Sequence, residues 1–229
     1  MKYRVVEIGQ SIMRKNDALA ASLRARFETS GTLVVNLLSS PGSGKTTLLE
    51  ETLVRLAPRL RVGALVGDQA TDNDARRLAR SGAPVRQITT AAECRLDAGM
   101  IASALESWQP GALDVLFIEN VGNLICPAEY DLGEDLRAVL FSVTEGEDKP
   151  LKYPLAFNTA QVALITKVDI AQAVGFDRAA AHRSMHDVHP DIEVLELSAR
   201  TGERMERWID LIEERLAAKR KQPAMSPSR

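Results

Sequence analysis

Residues 33–47 read LVVNLLSSPGSGKTT, an apolar run that passes into a glycine-rich turn and ends in Gly44-Lys45-Thr46. A strand before such a turn and a helix after it form the phosphate-binding loop known as Walker A. Gly42 and Gly44 let backbone N–H groups converge on phosphate oxygens at the positive end of the next helix. Ser39 stands where the usual pattern has its first glycine, so we expect a slightly different opening of the loop. The alternative is a glycine-rich turn that binds no phosphate.

Short apolar runs alternate with helical stretches along the rest of the chain. We predict strands over 33–38, 61–66, 85–88, 114–118, 136–143, 161–166 and 193–197. We predict helices over 12–30, 45–57, 72–81, 93–107, 177–187 and 203–218. Near-continuous apolar strands separated by helices favour an α/β fold, with a doubly wound, mostly parallel sheet and helices on both faces. Ligands of such a sheet bind at the carboxyl ends of its strands.

Further phosphate-site residues follow other predicted strands. In Walker A, Lys45 would reach the β and γ phosphates and the Thr46 hydroxyl would bind Mg²⁺. Residues 114–123 read DVLFIENVGN, the apolar strand ending in an acid that is typical of Walker B. Glu119 would hold Mg²⁺ directly or through water, and the Gly122 N–H would sense the γ-phosphate. We therefore expect a magnesium-dependent nucleotide hydrolase.

Asp68 is a second acid at the carboxyl end of a strand. We expect it to complete the Mg²⁺ shell with Thr46 and Glu119, or to position the attacking water. The alternative is an Asx turn or the N-cap of the following helix, although Asp72 fits that cap better. The predicted catalytic residues are Lys45, Asp68 and Glu119.

Two short motifs near the end of the chain resemble motifs that bind a guanine base. Thr166-Lys167-Val168-Asp169 resembles the guanine motif Asn-Lys-X-Asp, in which the acid accepts from guanine N1–H and the 2-amino group. The Lys167 stem can lie along the base plane. Thr166 stands at the asparagine position of the motif, so the chain lacks the amide that often braces the loop. Ser198-Ala199-Arg200 resembles the Ser-Ala-Lys motif. Together they favour GTP over ATP; an ATP-dependent, kinase-like enzyme is the alternative. The predicted nucleotide-binding residues are Pro41, Gly42, Ser43, Gly44, Lys45, Thr46, Thr47, Gly122, Lys167, Asp169, Ser198 and Ala199.

Composition limits the partners and the compartment. The chain has 229 residues, with 29 Lys+Arg against 31 Asp+Glu and a formal net charge of -2. Neither a nucleic acid nor an acidic membrane surface is indicated by that balance. Residues 1–10 contain no signal-peptide core, and the apolar runs are too short to span a membrane. We expect a cytoplasmic protein whose Cys94 and Cys126 form no disulfide.

Several segments together resemble one family. They are SPGSGKTT (40–47), Gly67-Asp68, Glu93-Cys94, ENVGNLICP (119–127) and TEGEDKPLKYP (144–154). The set resembles the HypB family, the hydrogenase nickel-incorporation GTPases of the SIMIBI class of P-loop proteins, from about Val5 to Leu216. The last two segments are specific to that family, and UreG, a more distant relative, shares the fold but not these segments. From the sequence pattern we expect an N-terminal helical extension (1–30), a G domain (31–218) and a flexible basic tail (219–229).

The family resemblance implies a function. It implies binding of GTP and GDP with Mg²⁺, homodimerisation on GTP binding, and Ni²⁺ or Zn²⁺ near the dimer contact. It also implies a HypA-like nickel chaperone and a hydrogenase large-subunit precursor as partners. Because the motifs contain no arginine finger, we expect slow intrinsic turnover.

The metal ligands of the family are a Cys-His pair and a later cysteine. Here Cys94 and Cys126 match the cysteines, but Arg95 stands at the histidine position, and a guanidinium cannot coordinate a metal. A two-thiolate site remains, completed by Glu93, Asp97, water or the second subunit; two thiolates suit nickel or zinc. We also expect Cys94 to open the predicted helix, where the positive helix end lowers the pKa of the thiol.

Three alternatives to a metal-handling GTPase stay open. The cysteines are small buried hydrophobes, or the chain is a GTP switch that has lost direct metal binding, or it is a metal-binding module with a vestigial nucleotide site.

His182, His186 and His189 would share one helical face and bind nickel loosely, or they form a solvated helix end before Pro190. The loop 145–153, with Lys149 and Lys152, is a switch that reaches nucleotide or partner, or a solvated charged loop.

Overall fold

The computed structural model describes residues 2–68, 72–90 and 93–221. Seven parallel strands form one sheet in the order β3-β2-β4-β1-β5-β6-β7. Their bounds are β1 Leu33–Ser39, β2 Val62–Asp68, β3 Val85–Thr89, β4 Val115–Glu119, β5 Leu136–Ser142, β6 Val162–Thr166 and β7 Glu193–Glu196. All seven predicted strands are confirmed, with ends shifted by one or two residues.

Helices cover the sheet on both faces. Their bounds are α1 Lys2–Ser30, α2 Lys45–Leu56, α3 Asn73–Ala79, α4 Ala98–Trp108, α5 Lys149–Lys152, α6 Pro154–Asn158, α7 Arg178–Val188 and α8 Met205–Lys221, with 3₁₀ turns at Cys126–Glu129 and Val168–Ile170. Alternate residues of β1 face opposite sides, because Val35 packs with α2 and α8 whereas Val34 packs with α1 and α4. The predicted α/β, doubly wound sheet is therefore confirmed.

Helix α1 is docked onto the sheet rather than separate from it. Leu23 and Phe27 belong to the same buried cluster as Ile101 of α4. Asn16 is buried, and its side chain accepts from the Ala98 N–H at 2.9 Å. The predicted start of this helix at residue 12 was too late, since the helix extends back to Lys2.

Two predicted boundaries are wrong for local reasons. Helix α4 begins at Ala98, not at residue 93, because the Asp97 carboxylate caps it by accepting from the Met100 N–H. Helix α8 continues to Lys221, so residues 219–221 are not part of a flexible tail. Lys219 is buried, with its Nζ 2.6 Å from Asp135 Oδ1. The remainder of the predicted tail, 222–229, lies outside the described residues. Among the described residues, no helix is both long and apolar enough to cross a membrane.

Candidate nucleotide and metal sites

The loop between β1 and α2 has the conformation that its glycines predict. Gly42 and Gly44 have φ angles of 79° and 94°, in the left-handed region where a side chain is strained. Ser39 is accommodated without such an angle, since it is the last residue of β1 and pairs with Leu140 of β5. The loop surrounds a cavity of about 620 Å³ at the carboxyl end of the sheet.

Glu119 at the end of β4 is the acidic centre of this cavity. Its side chain is 1% exposed, and its Oε1 accepts from Thr46 Oγ1 at 2.6 Å and from Lys45 Nζ at 3.2 Å. Its Oε2 is buried without a hydrogen-bond partner in the described part of the chain. A buried carboxylate oxygen without a partner is costly unless a cation or a donor meets it. The Glu119 carboxylate and the Thr46 hydroxyl therefore fit a Mg²⁺ ion, and the Lys45 ammonium beside them fits a phosphate group.

Asp68 and Gly122 complete the predicted phosphate residues around the same cavity. Asp68 is the last residue of β2 and lines the cavity. It does not cap α3, because Asp72 occupies the N-cap position. Asp72 forms no side-chain capping bond and instead pairs with Arg76 at 2.7 Å. At Gly122, a Cβ atom would lie 3.2 Å from the Pro41 ring, so only glycine packs here without displacing the phosphate loop.

A second cavity, of about 290 Å³, adjoins the first. Asp169, Ser198, Ala199 and Arg200 line it, together with Leu48 and Ile170. Gly44, Thr47 and Lys167 line both cavities, so the two lie side by side. Every predicted nucleotide-binding residue lines one of these cavities or both.

Thr166 braces the phosphate loop, contrary to the expectation that this substitution removes a brace. Its Oγ1 donates to the Ser43 carbonyl at 2.7 Å, and both residues are buried. Lys167 has a left-handed backbone, with φ of 60°, and its Nζ donates to the Gly42 carbonyl at 2.6 Å. The threonine hydroxyl and the lysine ammonium thus tie the end of β6 to the phosphate loop.

Two residues that line the phosphate cavity, and one that contacts the phosphate loop, were not assigned from the sequence. Asp74 and Arg77 of α3 line the cavity; the only signal was their position in the helix after Asp68. Glu145, in the segment 144–154, accepts from Ser43 Oγ at 2.9 Å and pairs with Lys149 at 3.0 Å. The charged loop predicted as a possible switch is therefore anchored to the phosphate loop through Glu145. Lys152, by contrast, is exposed and pairs with Asp148.

Cys94 and Cys126 are brought together. Both are half-buried free thiols, and a hydrogen bond with the Cys94 thiol, with burial next, raises the pKa of Cys126. Cys94 lies in a bend before α4, so the prediction that it opens a helix was wrong. In residues 11–68, 72–90 and 93–221 there is no group of three or more His, Cys, Asp or Glu side chains that could hold a metal.

The Arg95 side chain contacts two neighbouring side chains of the protein. Its guanidinium lies 4.0 Å from the centre of the Tyr130 ring, and its Nη1 is 3.1 Å from Glu93 Oε2. Of the candidate third ligands, Glu93 pairs with this arginine and Asp97 caps α4. Neither joins the thiols in a three-ligand cluster.

The three histidines do not converge. His182 Nε2 lies 3.0 Å from Glu196 Oε1, His186 Nδ1 lies 3.0 Å from the Pro190 carbonyl, and His189 Nδ1 lies 3.3 Å from the Phe157 carbonyl. Helix α7 ends at Val188, so His189 is outside the helical face that the spacing predicts. The arrangement is that of a helix end.

Comparisons with known proteins agree with the geometry. Residues 33–196 match the CobW/HypB/UreG nucleotide-binding domain. The hydrogenase maturation factor HypB of Azotobacter vinelandii is 49% identical over 210 residues, which cover 92% of this chain and 69% of that protein. The chain belongs to the HypB family. The family resemblance seen in the sequence is thus confirmed, and the P-loop site of this HypB-family chain lies in a nucleotide-binding domain.

Solved HypB structures share the whole fold. HypB from Archaeoglobus fulgidus is 40% identical, with a TM-score of 0.83, and the match covers 89% of this chain and all of that chain (100%). HypB from Helicobacter pylori, solved in complex with nickel, is 36% identical, with a TM-score of 0.85, and the match covers 93% of this chain and 99% of that one. The SIMIBI-type fold of the HypB-family chain is thereby confirmed as well.

Proposed function

We propose that this HypB-family chain is a magnesium-dependent GTPase that couples GTP binding, hydrolysis and homodimerisation to nickel insertion during [NiFe]-hydrogenase maturation. The observation that carries the proposal is that two neighbouring cavities share lining residues, one lined by Lys45, Thr46 and Glu119 and the other by Asp169. A guanine nucleotide fits this arrangement, with its base beside Asp169 and its terminal phosphates beside Lys45.

The base cavity supports GTP over ATP. The Asp169 carboxylate accepts from N1–H and the 2-amino group of guanine, and adenine does not present that pair of donors. Ile170 and Leu48 supply apolar walls, and the Thr166 hydroxyl maintains the loop geometry. An ATP-dependent transferase is therefore the weaker alternative.

The phosphate cavity supports hydrolysis. Water attacks the γ-phosphorus in line, the bond to the bridging oxygen of the β-phosphate breaks, and GDP and phosphate leave. Lys45 offsets charge on the β and γ phosphates, and Asp68 orients the water or shares the metal shell. Thr46, Glu119 and Asp68 would hold Mg²⁺, which neutralises charge on the β and γ oxygens when bound.

The thiol pair supports a role in metal handling, with ligands drawn from more than one chain. Two thiolates suit Ni²⁺ or Zn²⁺ but leave coordination positions open. Two exposed apolar side chains lie on nearby elements: Ile125 precedes Cys126 and is 60% exposed, and Leu155 on α6 is 44% exposed. Helix α6 contacts the 3₁₀ turn that begins at Cys126. Exposed apolar side chains of this kind suit contact with a second copy of the chain, and a HypA-like nickel chaperone and the hydrogenase large-subunit precursor are the further proposed partners.

A second function follows from Arg95. Because this residue cannot coordinate a metal and the described residues contain no three-ligand cluster, the chain would serve as a GTP switch while a partner carries the nickel. Both free thiols also fit a reducing compartment such as the cytoplasm.

The nucleotide assignment is tested with Asp169→Asn. The wild-type chain should hydrolyse GTP in preference to ATP, whereas the variant should lose GTP and gain xanthosine triphosphate, whose 2-oxo group accepts from an amide. Asp191→Asn, at an exposed position, is the matched control. Preferential ATP hydrolysis by the wild-type chain would overturn the assignment.

The metal assignment is tested by equilibrium titration of nickel into the chain alone, with GDP and with a non-hydrolysable GTP analogue. Cys94→Ala and Cys126→Ala are titrated in parallel. Stoichiometric, nucleotide-dependent binding that both variants lose supports direct metal delivery. Analogue binding without cysteine-dependent nickel binding supports the GTP switch instead.

A further inference from the structure

Arg77 on α3 brings a positive charge to the phosphate cavity that the recognised motifs do not include. It lines that cavity, and its Nη2 donates to Thr47 Oγ1 at 3.1 Å. Its Nε donates to Glu50 Oε2 of α2 at 2.6 Å. The side chain is 35% exposed, so the guanidinium is held in place and still open to the cavity.

The position of Thr47 shows which phosphate this charge faces. Gly44, Thr47 and Lys167 line both cavities and therefore mark their junction. Lys45, which reaches the β and γ phosphates of a bound nucleotide, and Glu119 lie on the phosphate side of that junction. A nucleotide whose base is beside Asp169 must pass the junction with its ribose and α-phosphate.

We propose that Arg77 binds the α-phosphate of the guanine nucleotide through its Nη2 side and is not an arginine finger for the γ-phosphate. The inference rests on the proposed guanine-nucleotide function. Glu50 fixes one edge of the planar guanidinium, and the other edge, now on the Thr47 hydroxyl, turns to the phosphate oxygen. Arg77 thus contributes equally to the affinities for GMP, GDP and GTP.

The test measures dissociation constants of guanosine, GMP, GDP and GTP, with Mg²⁺, for wild-type protein and Arg77→Gln. A lost charge-assisted hydrogen bond corresponds to a loss of affinity of about tenfold or more. The three nucleotides should weaken by the same factor, while guanosine binding and kcat for GTP hydrolysis change by less than about threefold. Arg80→Gln is the matched control, because Arg80 lies next to α3 and pairs with the same Glu50 but does not line the cavity.

Other outcomes overturn the inference. A loss confined to GTP, or a large drop in kcat, would make Arg77 a γ-phosphate residue. An equal loss for guanosine would mean that the substitution acts through the fold, which the thermal midpoint of the ligand-free variant reports separately. If wild-type protein binds none of the guanine nucleotides, the proposed function itself fails, whereas failure of the Arg77 inference alone leaves wild-type binding and its dependence on Lys45 intact.

Discussion

The nucleotide cavity and the thiol pair differ in how completely one chain builds them. Around the cavity, side chains from β4, α2, β6 and the loop after β5 hydrogen-bond to one another or to the phosphate loop. At the thiol pair, Cys94 and Cys126 have each other and a permanent cation, Arg95, nearby. The first region is preorganised for a ligand by its own chain, whereas the second offers two of the ligands that a metal needs.

This difference indicates how the proposed coupling would work. A preorganised site binds its ligand without much rearrangement, so the chain alone should bind nucleotide. A two-thiolate site gains ligands only when another chain approaches. Because Cys126 lies seven residues after Glu119 in one loop, a change at the phosphate cavity has a short path to the thiols.

The largest effect should come from Glu119→Gln. The substitution keeps the shape of the side chain and removes the buried charge that Thr46 and Lys45 contact. Loss of an electrostatic contribution of this kind lowers kcat by about 10²- to 10³-fold. Initial rates of GTP hydrolysis at saturating Mg²⁺ give the measurement.

The control for that prediction is Glu129→Gln. Glu129 is exposed on the 3₁₀ turn, so its substitution changes the net charge equally and should leave turnover unaltered. Comparable rates for Glu119→Gln and Glu129→Gln would remove Glu119 from the catalytic machinery.

Arg95→His should produce the next largest effect, on the other region. The guanidinium cannot coordinate a metal, whereas the imidazole that replaces it can. This imidazole stands at the histidine position of the family and so supplies a third ligand beside Cys94 and Cys126. We expect nickel affinity to rise by about tenfold or more, the scale on which ligand environment changes metal affinity. Titration with nickel in the presence of the GTP analogue measures the change.

Arg95→Gln separates coordination from charge in the same titration. It removes the cation without adding a good metal ligand. If both variants bind nickel equally tightly, relief of repulsion explains the gain and the idea of a missing ligand fails. If neither differs from the wild-type chain, the metal ligands lie elsewhere.

Thr166→Val tests the brace on the phosphate loop and should have a moderate effect. The Ser43 carbonyl loses its buried donor, and leaving such a group unpaired costs about 1–3 kcal/mol. Part of that cost falls on the bound loop, so the affinities for GDP and GTP should both fall by about fivefold or more. Calorimetric titration measures them.

Thr29→Val is the control, since the Thr29 hydroxyl also donates to a backbone carbonyl, that of Ala25 at 2.9 Å, but at an exposed position away from the cavities. Unchanged affinity in Thr166→Val would mean that Lys167 alone holds the loop. A selective loss of GTP binding would point to a γ-phosphate effect instead.

Thr166 also illustrates how far the sequence predicts this site. Strand and helix periodicity located the elements that carry Asp68, Glu119 and Asp169, because the carboxyl ends of parallel strands meet at one edge. The sequence could not reveal that a threonine hydroxyl would replace an amide as the brace, since that depends on a contact between residues 123 positions apart. Long-range side-chain geometry is invisible to local pattern.

Arg77, Glu145 and Cys94 show the same limit in three ways. Arg77 and Glu145 approach the phosphate loop only because helices and loops fold back across the sheet edge. Cys94 was predicted at a helix start because the apolar pattern begins early, but the capping carboxylate of Asp97 moves the start to Ala98. In each case the position of the residue depends on tertiary contacts or on a helix cap, which the local sequence pattern does not predict.

The smallest effect on nucleotide binding should come from Tyr130→Leu, which tests whether the two regions are energetically separate in the chain alone. The Arg95 guanidinium lies 4.0 Å from the centre of the buried Tyr130 ring, and losing this contact should lower the free energy of unfolding by about 2 kcal/mol. Because Tyr130 does not line either nucleotide cavity, GDP affinity should stay within about twofold while the midpoint of denaturant unfolding shifts.

Tyr153→Leu, which removes a Lys149 contact at 4.9 Å, is the matched control on the loop tied to Ser43 through Glu145. A large change in GDP affinity in Tyr130→Leu would show that the thiol region and the nucleotide cavity are already coupled without a second chain, and the energetic separation of the two regions would be refuted.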